Sequence, residues 1–199
     1  MAYSLDDYLR TKQICCEGKC SDIDEQVQKL IELSALPNIT IMEIGFNAGH
    51  SSEVFLKYNN TSKVVSFDLG EYGSVDLGKD YIDSIYPDRH TLIIGDSTKT
   101  VPNFISDNSN VKFDLIFIDG GHEYETVLAD LQNCYHLAHK NTIVILDDVV
   151  FTPGWEQHYT VGPTRAWTEH LNSEKITELG RRDYKNGRGM VWGNYATGL

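Results

Sequence analysis

With 199 residues, the chain is long enough for one domain with a sizeable core and too short for two ordinary ones. Its composition, 41% hydrophobic and 23% charged, is that of a soluble globular protein, and no apolar run approaches the roughly 20 residues that span a bilayer. Seventeen basic against 29 acidic residues give a formal charge of −12, which repels phosphate backbones and counts against general nucleic-acid binding.

The opening stretch MAYSLDDYLR is acidic and polar, unlike a secretory leader, so a cytoplasmic (intracellular) location with no membrane partner is expected. Cys15, Cys16 and Cys20 in CCEGKC lack the CxxC spacing of a zinc ribbon; with Cys134 they read as ordinary reduced thiols. Residues 1–36 form an N-terminal helical segment, with Ser21 placed as an N-cap, apolar residues at 23, 27, 30 and 31, and Pro37 closing it. Across 37–199, short apolar runs alternate with helical patterns, the signature of a parallel sheet with crossover helices. The predicted strands are ITIMEIG (39–45), KVVSFDL (63–69), TLIIGD (91–96), FDLIFID (113–119) and TIVILDD (142–148). Between the last two, Val127, Leu131, Cys134 and Ala138 share one helical stripe. PTRAWTEHLNS predicts a further helix. KITELG and GRGMVWGNY, joined by the turn-rich RRDYKN, predict a closing antiparallel hairpin. The fold class is α/β: Rossmann-like, mostly parallel, with helices on both faces of the sheet.

In such sheets ligands bind beyond the carboxyl ends of the strands, and the polar residues gather there. EIGFNAGHSS ends the first strand with Glu43, Gly45 and Gly49, a loop that permits close backbone approach to a ligand. Asp68 ends the second strand 19 residues after Gly49 (68 − 49), where an acid can accept hydrogen bonds from both ribose hydroxyls. Asp96 ends the third. A nicotinamide-dependent oxidoreductase would need GxGxxG, whereas this loop is GxxxG preceded by an acid. A plain strand–helix turn would explain the glycines but neither Glu43 nor Asp68.

Taken in order, EIGFNAGHSS, SFDLG, GDS, FIDGGHEYETVLADL and VILDDV resemble the class I S-adenosylmethionine-dependent methyltransferases, in particular a branch with an IDGGHxY motif. The resemblance covers roughly residues 39–195 and implies a seven-stranded sheet whose last strand is antiparallel to the rest. It implies that Glu43, Gly45, Phe46, Asn47, Gly49 and Ser51 form the cofactor loop, with Asn47 standing where many relatives carry another glycine. Asp68 would hold the ribose, Asp96 and Ser97 would lie beside the adenine, and Asp119 would touch the cofactor. The implied reaction is methyl transfer to a small-molecule acceptor, with a hydroxyl oxygen expected.

Asp119 ends the fourth strand, and Asp147 and Asp148 end the fifth. Neighbouring strand ends are about 5 Å apart, so three carboxylates there need protons or a cation. An oxygen-only cluster suits a hard ion such as Mg²⁺ or another divalent cation, which would clamp and acidify a substrate hydroxyl. The alternatives are a capping role within LDDV and a cofactor contact for Asp119. His122 is either a general base beside the transfer point or a hydrogen-bonding post for its loop. Gly120 and Gly121 read as a sharp exit that leaves space for the methyl donor. Trp155, His158 and Tyr159 either close over a substrate or serve a homo-oligomer contact. Arg181, Arg182, Lys185 and Arg188 form a basic cluster, either a solvated turn or a contact for an anionic partner. A metal-independent methyltransferase and a non-catalytic nucleotide-binding protein stay as rival readings.

Overall fold

The computed structural model describes residues 4–16, 18–184 and 187–196. Lys185, one member of the expected basic cluster, lies outside them. Five parallel strands form the body of the sheet: β1 (Thr40–Ile44), β2 (Lys63–Asp68), β3 (His90–Ile94), β4 (Phe113–Ile118) and β5 (Ala138–Asp147). The hairpin β6 (Ile176–Tyr184) and β7 (Arg188–Tyr195) closes it, with β7 antiparallel to β5. The order β3-β2-β1-β4-β5-β7-β6 reverses between β1 and β4, the crevice where ligands of open α/β sheets bind.

Alternation along the strands explains the near-continuous apolar runs. In β4, Ile116 and Ile118 face one layer of helices while Leu115 and Phe117 face the other; Phe113, across the register shift, joins the first layer. The first layer comprises α5 (Ser97–Asp107), α6 (Tyr124–Tyr135) and α7 (Val161–Asn172), packed around Phe67, Leu131 and Trp167. The second comprises α1 (Leu5–Thr11), α2 (Asp24–Leu33), α3 (His50–Tyr58) and α4 (Ser74–Ile85), with Leu5, Leu30, Phe55 and Ile82 in one cluster. Through Leu5, Leu9, Cys20 and Leu30 the described part of the N-terminal segment therefore shares a core with the sheet. No helix among the described residues is long and apolar enough to cross a membrane.

Several boundaries differ from those expected. Ser21 lies in a 3-10 turn (Cys20–Asp22), and Ile23 precedes α2 without a side-chain cap; Ser4 is the residue that caps, its hydroxyl accepting from the Asp7 N–H at 3.1 Å across the start of α1. Ala138 opens β5 and is not part of α6, because a register shift lets β5 begin early beside Phe113. RRDY belongs to β6, which shortens the turn that the sequence suggested. All four cysteines are free thiols.

Candidate functional site

The loop after β1 is held by its backbone. Gly45 has φ +94, and a Cβ there would lie 2.0 Å from the Asp119 carbonyl oxygen, so only glycine fits. Asn47 has φ +48, a left-handed conformation that asparagine tolerates far better than most residues; its side-chain oxygen accepts from the Ser74 hydroxyl at 2.7 Å. Asparagine thus serves where a further glycine was the family expectation. Gly49, left-handed at φ +87, turns the chain into α3. Gly120 and Gly121 are not among the positive-φ residues; a Cβ on Gly120 would meet the Ile44 side chain at 2.9 Å.

Asp68 organises this loop. Its Oδ2 accepts from the N–H groups of Phe46 (2.9 Å) and Asn47 (2.8 Å), and its Oδ1 accepts from Gly70 (2.8 Å). Beyond it, Leu69 and Ile94 are each 53% exposed, and Ile94 lies against Gly70. Asp96 caps α5: its Oδ1 accepts from the Thr98 N–H at 3.0 Å, and its Oδ2 pairs with Lys99 at 2.8 Å. The Lys99 and Thr98 hydrogen bonds hold its pKa down at about 2. Ser97 opens that helix.

Glu43 lies beneath the loop with no exposed surface. It accepts hydrogen bonds from the hydroxyls of Ser51, Ser52 (2.6 Å) and Ser66 (2.5 Å), while burial raises its pKa. Since the Ser66 proton points to Glu43, the His90 ring contacts Ser66 at 2.9 Å by donating from Nε2. His90 stacks on Phe46 with ring centroids 4.8 Å apart, and its Nδ1 is buried with no partner among the described residues. Burial pushes its pKa from the usual 6.5 down to about 4. The folded state thus resists protonating it, so this stabilisation is complete above pH 6.5 and drains away as pH falls toward 4. Across that window wild type is expected to lose about 3 kcal/mol of stability relative to His90→Gln, read from denaturant midpoints. Parallel profiles for the two proteins would show that His90 is not held neutral.

The acids meet at the ends of β4 and β5, which are neighbours with Ile118 opposite Leu146. Asp119, His122 and Asp148 bring one ligand atom each within 4.8 Å of one another. His122 Nε2 lies 2.9 Å from Asp148 Oδ2, and this hydrogen bond raises the histidine pKa. Burial, with the charges of Asp147 and Asp148, pushes Asp119 well above the usual carboxylate range. Asp147 departs from its expected place as a third ligand. Its Oδ2 accepts from Gln26 Nε2 at 2.5 Å, its Oδ1 accepts from the Asp148 N–H at 2.9 Å, and burial raises its pKa. The trio therefore contains an imidazole where an oxygen-only set was expected.

Tyr159 lies beside His122, ring centroids 5.7 Å apart, and borders an open hollow of ≈ 310 Å³ with Trp155, Gln157 and Gly187. A larger hollow of ≈ 520 Å³ runs along α7, but no acid of the cluster lines it. In the basic cluster, Arg181 and Arg182 lie on β6 and not in a turn; Arg181 pairs with Glu178 at 2.7 Å and Arg182 with Glu25 of α2 at 3.3 Å. Arg188 instead points inward, to Gln26 and the carbonyls of Gly18 and Lys19. Sequence reasoning missed Gln26, Arg188 as an inward group, and the His90–Ser66–Glu43 chain. The apolar residues directly after Asp68 and before Gly95 were the one legible hint of a ledge there.

A family model described as "Methyltransferase domain" matches residues 42–149, more than half of the chain, and the chain belongs to that family. It is thereby a class I S-adenosylmethionine-dependent methyltransferase, the class that its motifs resemble. No curated protein matches the sequence. Among solved structures, cofactor-bound Rv0187 from MTB is similar with a TM-score of 0.78 at 16% identity, over 96% of this chain and 87% of that one. The SAH-bound methyltransferase PaMTH1 of Podospora anserina gives 0.73 at 17%, over 98% and 89%. The O-methyltransferase TomG of Streptomyces achromogenes, involved in tomaymycin synthesis and solved with SAM, gives 0.74 at 15%, over 96% and 87%. At these identities the likeness is one of fold.

Proposed function

We propose that this chain transfers the methyl group of S-adenosylmethionine to a hydroxyl of a small-molecule acceptor, with a divalent cation held by Asp119, His122 and Asp148. The observation that carries the reading is the convergence of those three ligand atoms within 4.8 Å, at the carboxyl end of the sheet where the glycine loop also lies. Asp148 Oδ1 is buried with no partner among the described residues, an orphan that a cation would satisfy. Two carboxylates and an imidazole suit Mn²⁺ or a similar ion better than the all-oxygen set that Mg²⁺ favours. The donor is supported by the SAH and SAM bound in PaMTH1 and TomG, and the oxygen acceptor by the name of the latter.

When bound, the donor supplies an electrophilic methyl group and the cation lowers the pKa of a neighbouring hydroxyl. Gly45 and Gly49 let the loop close against the Asp119 backbone and the Phe46 ring and so fix its shape, Asp68 ties the loop and accepts from the ribose, and Leu69 with Ile94 covers the adenine. Asp119 and Asp148 orient the acceptor oxygen in line with the methyl carbon, and this positioning supplies much of the rate. The carbon–sulfur bond breaks as the carbon–oxygen bond forms, and the hydroxyl proton leaves to water. A second reading keeps the transfer without a cation: the 2.9 Å contact with Asp148 orients His122 as the base that takes that proton.

Titration calorimetry with S-adenosylhomocysteine and, separately, NADH tests the donor, each run with and without Mn²⁺ or Mg²⁺. Binding of the first alone is expected; binding of NADH, or of neither, overturns the reading. Asp119→Asn and Asp148→Asn are each expected to spare S-adenosylhomocysteine binding yet lower cation-dependent turnover by about a hundredfold. Turnover that survives Asp119→Asn and a chelator, but not Asp148→Asn or His122→Gln, selects the second reading.

A further inference from the structure

Gln26 lies on α2, in the segment that carries none of the methyltransferase motifs, yet it is wholly buried against the acid cluster. Its amide nitrogen donates to Asp147 Oδ2 at 2.5 Å, and its amide oxygen accepts from Arg188 Nη2 at 3.3 Å. Arg188 also donates to the carbonyls of Lys19 (2.9 Å) and Gly18 (3.0 Å), so the start of β7 clamps the chain leading into α2. On its other side Asp147 accepts the Asp148 N–H at 2.9 Å, and Asp148 has φ +55. A left-handed non-glycine residue is strained and persists only where its surroundings hold it. Here the turn sends the two consecutive side chains apart: Asp147 to Gln26, Asp148 to His122.

We propose that Gln26 is a positioning residue of the active site: by fixing the Asp147 carboxylate it holds the left-handed turn at Asp148, which aims Asp148 at His122 and Asp119. The proposal rests on the reading of that trio as the working site. Asp147 is then the anchor and Asp148 the working acid. The amide suits this post because it donates to a carboxylate and accepts from a guanidinium at once, which neither a carboxylate nor an ammonium group does. The N-terminal segment, absent from the motif pattern, completes the site.

Two full-length variants separate this role from simple anchoring. Gln26→Met keeps the side-chain length and loses both contacts. Gln26→Glu, studied at pH 8, keeps an acceptor for Arg188 and loses the donor to Asp147. The deciding readout is hydrogen exchange of the Asp148 N–H, with S-adenosylhomocysteine calorimetry alongside to establish an intact donor site. Exchange at Asp148 is expected to rise about tenfold or more in both variants, with β4 amides and S-adenosylhomocysteine affinity unchanged. Mn²⁺ affinity, read by water proton relaxation, is expected to fall about tenfold in both. Faster exchange in Gln26→Met alone would reduce Gln26 to a tether for Arg188 and overturn the proposal, as would no change in either. Wild-type protein that binds S-adenosylhomocysteine but no Mn²⁺ refutes the cation, and the exchange result then decides the role of Gln26 by itself.

Discussion

Replacing Gly45 with alanine is expected to remove much of the folded stability and, with it, donor binding. A Cβ at this position would lie 2.0 Å from the carbonyl oxygen of Asp119, 2.6 Å from its carbonyl carbon and 3.0 Å from the Cα of Gly120. All three are backbone atoms, so no side chain can swing away. The residue also sits at φ +94, where a side chain is strained whatever the space. Relief requires parting the ends of β1 and β4, which are knit by the Asp119 N–H to the Ile44 carbonyl at 2.8 Å, while on the other side the Gly45 N–H is tied to the Phe67 carbonyl of β2, also at 2.8 Å. Backbone strain and overpacking together cost about 3–5 kcal/mol, a large share of a typical domain stability of about 5–15 kcal/mol. Gly73→Ala is the matched control, since a Cβ there meets nothing within 4 Å. Denaturant unfolding of both variants, with calorimetry against S-adenosylhomocysteine, checks the pair. A Gly45→Ala protein within about 1 kcal/mol of wild type would contradict the close approach.

That contact also shows which parts of the molecule were legible beforehand. The glycine loop, Asp68, Asp96 and Asp119 could be read because each lies where its own strand ends, and a strand end is written locally in the change from apolar run to polar turn. Asn47 was legible as an exception and is explained by its left-handed backbone. The partition between Asp147 and Asp148 was not legible. Both end the same strand, and which one faces the trio depends on a backbone turn at Asp148 that two identical side chains cannot announce. Gln26 was hidden for a different reason. It meets Asp147 across 121 residues of sequence, and a buried glutamine on an amphipathic helix reads as surface until the facing acid is known. His122 was left between base and loop post; its contact with Asp148 places it inside the cluster, which changes the ion that the site would favour.

Asp68→Ala is expected to abolish S-adenosylhomocysteine binding while leaving the protein folded. A carboxylate offers about four accepting positions, and three are already used, by the N–H groups of Phe46, Asn47 and Gly70. In the proposed function the remaining capacity accepts from the ribose. Alanine therefore removes a direct ligand contact and frees the loop in the same step. Two of the three freed N–H groups, those of Asn47 and Gly70, lie on exposed residues that water can satisfy, so stability suffers less than affinity. Each hydrogen bond to a charged acceptor is worth ~1.5–3 kcal/mol, so losing one ligand contact and part of the loop order predicts at least about a hundredfold loss of affinity. Asp68→Asn keeps the shape and one accepting oxygen but loses the charge and places an amide group against two N–H donors. It should fall between the other two, with about a tenfold loss. Calorimetry on the three proteins, with thermal unfolding of each apo form, checks the ranking. Equal affinities across the series would move the ribose elsewhere and reduce Asp68 to a loop tie; an Asn variant as weak as Ala would place the whole effect in the charge.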